Sequence, residues 1–325
     1  MRLLHTFLIS ILAFSSIAQE REGTREREVN QEGLNQRTIL DDTTKIIYGM
    51  KTTSFISKEK FLLSDTLFLI LDSTLNDIYD ISIPEKNQFK YQNLGNLGSP
   101  VRNIFYETPN SFSLQSGLSS LQPYIDEIST SKFYDTKSPF IDLGLFFGGL
   151  GRSKVDFEFS RNVNKNWNIT LAINRISSDK QIGAIKNKGD KNIKSSSLKF
   201  NIFHKSNNKK ISHFTDIISL NHNTLGTGGV DLIVDSLPID FFLYKDFEVR
   251  LTEVENIYKN LKLETYTDYK LSNELKFYNH TKYRKEYYGY EDMNLSLNFN
   301  FYDSFSNNIA TQDSFKIKNI SNRIG

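Results

Sequence analysis

Two neighbouring stretches of strict apolar–polar alternation constrain this chain more than any other feature. Ser153 to Ser177 reads SKVDFEFSRNVNKNWNITLAINRIS. Val155, Phe157 and Phe159 alternate with Lys154, Asp156, Glu158 and Ser160. After an Asn-rich turn, Trp167, Ile169, Leu171 and Ile173 alternate with Asn168, Thr170, Ala172 and Asn174. A period of two marks a strand whose faces meet different media. Each strand reads as roughly 9–11 residues, the length of a tilted strand crossing a bilayer. The polar face is hydrophilic throughout and carries charge. That suits a membrane β-barrel with lipid outside and water inside. It also suits a soluble sandwich with one buried face.

In the membrane reading, Val155, Phe157, Phe159, Ile169, Leu171 and Ile173 face lipid. Lys154, Asp156, Glu158, Asn168 and Asn174 line a water-filled interior. The reason is cost, because Lys or Arg at the bilayer midplane is unfavourable by roughly 2–4 kcal/mol.

The N-terminus favours export. Arg2 supplies a positive start, Phe7 to Phe14 is a short apolar core, and Ser16-Ile17-Ala18 presents small residues before Gln19. This is the pattern of a secretory signal peptide over residues 1–18. No later segment approaches 18 continuous apolar residues, so any membrane crossing is made by strands.

Composition narrows the classes further. There is no cysteine, which excludes disulfides and thiol catalysis. Aromatic residues make up 13%, from 25 Phe, 16 Tyr and one Trp, although the mean hydropathy is only −0.43. Strands with interfacial aromatic girdles account for that combination. The net charge of +2 is interspersed, and no basic block points to nucleic acid.

Along the chain, residues 19–40 form a charged arm with the composition of disorder. Residues 41–110 form a β-rich, plug-like periplasmic segment, with strand candidates at Lys45–Tyr48 and Thr66–Leu71 and a Gly/Pro loop around Gly95, Gly98 and Pro100. Residues 111–325 form the barrel strands. Phe140–Phe147 leads into a Gly148–Gly151 hairpin turn, and Lys180–Lys194 is a long polar loop. Further strands begin near Ser197, His213, Tyr258, Leu275 and Leu295, the last placing Leu295, Leu297, Phe299 and Phe301 on one face. In His213–Asn221, Asp216 interrupts a face made by Phe214, Ile218 and Leu220.

Residues with catalytic or ligating potential are sparse. His204, His213 and His222 are spaced nine apart, without metal-ligand spacing. Gly226–Val230 lacks the Lys-Ser/Thr of a phosphate-binding loop, and no G-x-S-x-G elbow occurs. Asp156 and Glu158 lie about 7 Å apart along one strand face. They could form an acid/base pair, but Lys154 beside them makes a lumen wall the simpler reading. No catalytic, cofactor or metal site is expected, and the chain is not expected to be an enzyme.

Four blocks carry a family resemblance: Asp41–Gly49 (DDTTKIIYG), Tyr91–Ser99 (YQNLGNLGS), Phe133–Phe140 (FYDTKSPF) and Ser160–Asn168 (SRNVNKNWN). In this order and spacing they resemble the putative porin family of Bacteroidota-type bacteria. The resemblance implies an all-β fold, an antiparallel transmembrane β-barrel in the outer membrane that passes small solutes by diffusion. Its partners would be outer-membrane lipid and the barrel-assembly machinery. The family's members are longer, so the expectation is an N-terminal portion with an incomplete barrel, whose open strand edges lipid cannot satisfy. Two other classes stand beside this one. A secreted or surface β-sandwich would bind glycans or a partner protein, and an outer-membrane hydrolase barrel would need a nucleophile constellation that is not readable here.

Overall fold

The structure is a computed structural model that describes residues 50–65, 67–71, 74, 78–106, 118–181, 191–229, 249–272, 274–298, 301–302 and 309–325. The expected signal peptide, the charged arm, Lys45–Tyr48 and the Asp41–Gly49 block lie outside the described residues.

The small N-terminal elements are β1 (Thr53–Ser57), α1 (Lys58–Leu62), β2 (Leu69–Ile70), α2 (Ile83–Lys86), β3 (Tyr91–Asn93), β4 (Val101–Asn103), α3 (Gln122–Ser129) and β5 (Lys132–Thr136). The long strands follow: β6 (Phe140–Phe147), β7 (Ser153–Asn164), β8 (Trp167–Asp179), β9 (Lys191–Lys205), β10 (Ile211–Gly226), β11 (Val254–Lys270), β12 (Lys276–Asp292) and β13 (Thr311–Ile324). The all-β expectation holds. The small helices start on local signals. Ser57 caps α1 by accepting from the Lys60 amide. Glu85 in α2 reaches back to the Ser82 and Ile81 amides, satisfying donors that have no helical partner.

The eight long strands form one antiparallel sheet in strict chain order, β6 to β13. β6 and β13 do not pair with each other, so the sheet is open. β7 and β8 run 12 and 13 residues, and β11 and β12 run 17 each. These exceed the roughly 9–11 residues expected of a strand that just crosses a hydrocarbon core. The hairpin turns follow from sequence chemistry. The Asn164 side chain accepts from the Asn166 and Trp167 amides, closing the β7–β8 turn. Leu150 and Gly151 take the left-handed conformation in the β6–β7 turn.

Two sequence expectations are corrected. In the expected strand Leu295–Phe301, the described residues Leu295–Asn298 instead coil through successive turns, with Leu297 donating to Asn294 and Asn298 to Leu295. Asn298 explains this, because its side chain bonds Asp292, the Thr252 carbonyl and the Thr252 amide, which holds the segment compact. The expected loop at Lys180–Lys194 is shorter, because Lys191–Lys194 already belong to β9.

Register separates the two faces of the sheet. One row of same-face neighbours crosses all eight strands as Ile141, Phe159, Leu171, Phe200, Ile217, Leu263, Tyr283 and Ile320. Every member is apolar or aromatic. The next row on this outer face is apolar over β6–β9, with Leu143, Phe157, Ile173 and Leu198, but ends in Lys285 and Lys318 on β12 and β13. The apolar face is therefore broadest over β6–β9.

The inner face is covered by the N-terminal elements. β2, β1 and β5 form a small antiparallel sheet. Ile56, Phe61 and Phe133 pack on Phe203, Phe214 and Tyr266 of the long strands. Further along, Ile83, Leu97, Leu121, Tyr124 and Ile125 pack on Ile176, Ile218, Leu220, Tyr258 and Tyr288. Phe214, Ile218 and Leu220 thus face the N-terminal segment. The packed segment continues through Thr136, past the boundary at residue 110 read from sequence, and the first long strand begins at Phe140.

Candidate functional site

The sequence blocks between residues 91 and 168 turn out to be the places where the N-terminal segment docks. In Tyr91–Ser99, Asn96 donates to the carbonyls of Leu150 and Asp179 at 3.2 and 3.0 Å. Ser178 donates to the Leu97 carbonyl at 2.8 Å. Gly98 has φ +86°, and a Cβ there would stand 2.8 Å from Ile193 Cγ2. Only glycine combines that conformation with so close an approach. In Phe133–Phe140, Thr136 Oγ1 accepts from the Asn162 amide, and Asp135 accepts from the Asn162 side chain at 2.7 Å. Asn162 belongs to the fourth block, so two of the blocks meet directly.

Two charged constructions sit beneath this segment. The first is a lock. Lys58 reaches Asp216 at 3.2 Å, Glu264 at 3.1 Å and the Ser129 carbonyl at 2.9 Å. Asn201 and Ser131 also donate to Asp216, and His280 stands 2.7 Å from Glu264. Burial opposes the charge on Lys58, but the Asp216 and Glu264 carboxylates outweigh it and raise its pKa. The Asp216 that interrupts an apolar face in the sequence is the anchor for this lysine.

The second is a cavity of about 600 Å³ between the N-terminal segment and strands β6–β9. Its floor is two neighbouring rows of the inner face. One row runs Asp142, Glu158, Ala172, Lys199, and the other Gly144, Asp156, Asn174, Ser197. Gly144, Ala172 and Ser197 are small, which gives the floor its depth. Lys86, Glu127, Ile128, Thr130 and Lys132 form the opposite wall. Asp156 accepts from Asn174. Lys154, 3% exposed, donates to the Ile81 carbonyl at 3.0 Å and stands 3.4 Å from Glu127 and 3.5 Å from Asp156. Glu127 also pairs with Lys86. Burial works to raise the Glu127 pKa, but Lys154 and Lys86 overcome it and hold the carboxyl below its ordinary value. Burial, with the charges of Glu158 and Asp142 added, pushes the Tyr134 phenol up.

The residues expected to line a pore are therefore brought to one face. Asp156, Glu158 and Asn174 line the cavity. Lys154 lies beneath the N-terminal segment, and Asn168 is buried among Ser160, Asn162 and Thr170. Val155, Phe157, Phe159, Ile169, Leu171 and Ile173 alternate with them and are partly exposed, and Phe157 and Ile173 also border the cavity. Sequence reading missed Asp142, Lys199, Lys86, Glu127 and Lys132. The first two had a usable signal. Asp142 and Gly144 alternate with Ile141 and Leu143, and Lys199 alternates with Leu198 and Phe200. The histidines are scattered: His204 stacks near Trp167, His222 is buried against Tyr124, and His280 joins the lock. Among the described residues, no group of three His, Asp or Glu could hold a metal ion.

A large antiparallel sheet with an apolar row on one face and charged rows on the other has the two-faced strands expected of a membrane β-barrel. A family described as "Putative porin" matches residues 54–325, and the chain belongs to it. Membership implies the outer membrane as its location. No curated protein and no solved structure matches the chain significantly.

Proposed function

We propose that the chain supplies strands β6–β13 to an outer-membrane porin for passive diffusion of small solutes, with the N-terminal segment seated inside as a partial plug. The solute path runs along the inner face of the sheet, through the gap between β6–β9 and α2, α3 and β5. The observation that carries this reading is the segregation of faces: an unbroken apolar row across eight strands outside, and charged rows around an open cavity inside. The apolar face meets lipid, residues 1–18 direct export and are removed before Gln19, and the barrel-assembly machinery inserts the mature chain. No nucleic acid takes part and no bond is broken, so the protein needs no cofactor.

The test is reconstitution of the mature chain into planar bilayers with single-channel recording. Stepwise conductance, with fractionation of the protein to the outer membrane in cells, is the expected result. Insertion without conductance would refute the pore. Recovery as a soluble periplasmic species would refute the membrane assignment and favour the β-sandwich class.

A further inference from the structure

Lys199 on β9 is 7% exposed, yet no carboxylate stands within ion-pairing distance of its ammonium among the described residues. Its one described partner is the Thr130 carbonyl, at 3.1 Å. A buried cation without a counter-charge is costly, and replacing such a group by an apolar one is often neutral or stabilising. Across the same row, Glu158 accepts a hydrogen bond from the Tyr134 hydroxyl but keeps one carboxylate oxygen, Oε1, buried and without a hydrogen bond. Asp142 stands directly opposite Glu158 on β6. Like charges at directly opposed positions destabilise a sheet. Between these acids and Lys199 lies only Ala172. Strand spacing puts the Glu158 and Lys199 backbones about 10 Å apart. The row therefore holds two charges of opposite sign whose partners are incomplete, Lys199 without a contacting carboxylate and Glu158 with one oxygen unbonded, and both line the cavity of about 600 Å³.

We infer that the trough along this row is a binding site for a zwitterionic solute, from a free amino acid to a short peptide. It rests on the reading of the inner face as a solute path. The solute's ammonium takes Glu158 and Asp142, and its carboxylate takes Lys199, with Lys132 on the facing wall adding attraction for anions. The small floor residues Ala172, Gly144 and Ser197 leave room for the solute's body. A solute carrying both charges satisfies both ends at once, whereas one of either sign alone leaves the other end uncompensated. Specificity then comes from buried groups left without partners by the wrong solute.

Calorimetric titration of the refolded full chain in detergent with diglycine, N-acetyl-diglycine and diglycinamide tests this. Diglycine is expected to bind saturably, and each blocked form at least tenfold more weakly. Lys199→Met should weaken diglycine at least tenfold while leaving diglycinamide unchanged, because that probe has no carboxylate to lose. Glu158→Gln should show the mirror pattern with N-acetyl-diglycine. Lys199→Met should not lower the unfolding temperature, which separates loss of a site from loss of the fold. Equal binding of all three probes, no saturable binding, or an unaffected Lys199→Met affinity would overturn the site. Conductance without saturable binding would overturn the site and leave the pore, while binding without conductance would overturn the pore and leave the site.

Discussion

Beneath the N-terminal segment, the inner face of the sheet is built in two contrasting ways. Over β9–β12 it is filled. Phe61, Phe133, Phe203, Phe214 and Tyr266 interlock with ring centroids 4.8–6.0 Å apart, and Lys58 is bound to two carboxylates beside them. Over β6–β9 it is left open, with small residues on the floor and charges whose partners are incomplete. Both regions use charge, but to different ends. Where every buried charge has a partner, the charges fix position. Where they lack one, the energy is held in reserve for something that arrives. The segment is thus packed tightly over β9–β12, while over β6–β9 it is tied down at the margins by the bonds of Asn96, Asn162 and Lys154 and bridges a gap between them.

The largest effect should come from the tightly packed region. Phe214→Ala removes a ring in contact with Phe61, Phe133 and Tyr266 and should cost about 3–5 kcal/mol, read by urea unfolding in micelles. An undiminished midpoint would erase the distinction between the two regions. Lys58→Met should cost about 3 kcal/mol by stranding Asp216, which is 1% exposed, and should open the chain between residues 58 and 136 to protease. Adding Asp216→Asn should recover part of the loss, because the stranded charge is then gone.

Phe157→Arg acts on the outer face behind the cavity. A cation near the bilayer midplane costs roughly 2–4 kcal/mol, so insertion into vesicles should fall, whereas Glu158→Arg one residue away should insert normally. The reverse order would mean that the faces are assigned inside out.

Acid should loosen the cavity side. Glu127 is held below its ordinary carboxylate value by Lys154 and Lys86 against the opposing effect of burial. Its contribution is complete above that ordinary value and is lost as pH falls through the lowered one. Lys58 has a raised pKa, so the lock is complete below the ordinary lysine value and is lost only as pH rises through the raised one. Protease protection of α3 should therefore weaken in acid, and Glu127→Gln should flatten that response. The smallest effect on stability belongs to Ala172→Leu. It fills open space, so the unfolding midpoint should barely move while solute flux drops. A large loss of stability would show that the trough is already filled.

The alternation of β7 and β8 and their turn were legible, because a period of two needs no partner to be read. The inward direction of Phe214, Ile218 and Leu220 was not. Periodicity groups residues onto a face but does not say whether lipid or another segment covers that face. Leu295–Phe301 misled for the same reason, since its spacing carries no sign of the Asn298 bonds that coil it. β13 passed unnoticed because Thr311–Ile324 has few apolar residues to mark it. The trough was beyond reach, because Asp142, Glu158, Ala172 and Lys199 become neighbours only once four strands take their register.

The strict chain order of the long sheet sets a timetable. Every pairing in the long sheet joins consecutive strands, with connections from two residues between β7 and β8 to 27 between β10 and β11, so each can form as its hairpin completes. The lysine of the lock lies 158 and 206 residues from its two carboxylates. Those bonds wait until β10 and β11 exist. The part of the chain that is synthesised early is therefore among the last to be seated. Until then its aromatic face stands uncovered, and the inner face of the sheet stays open to water.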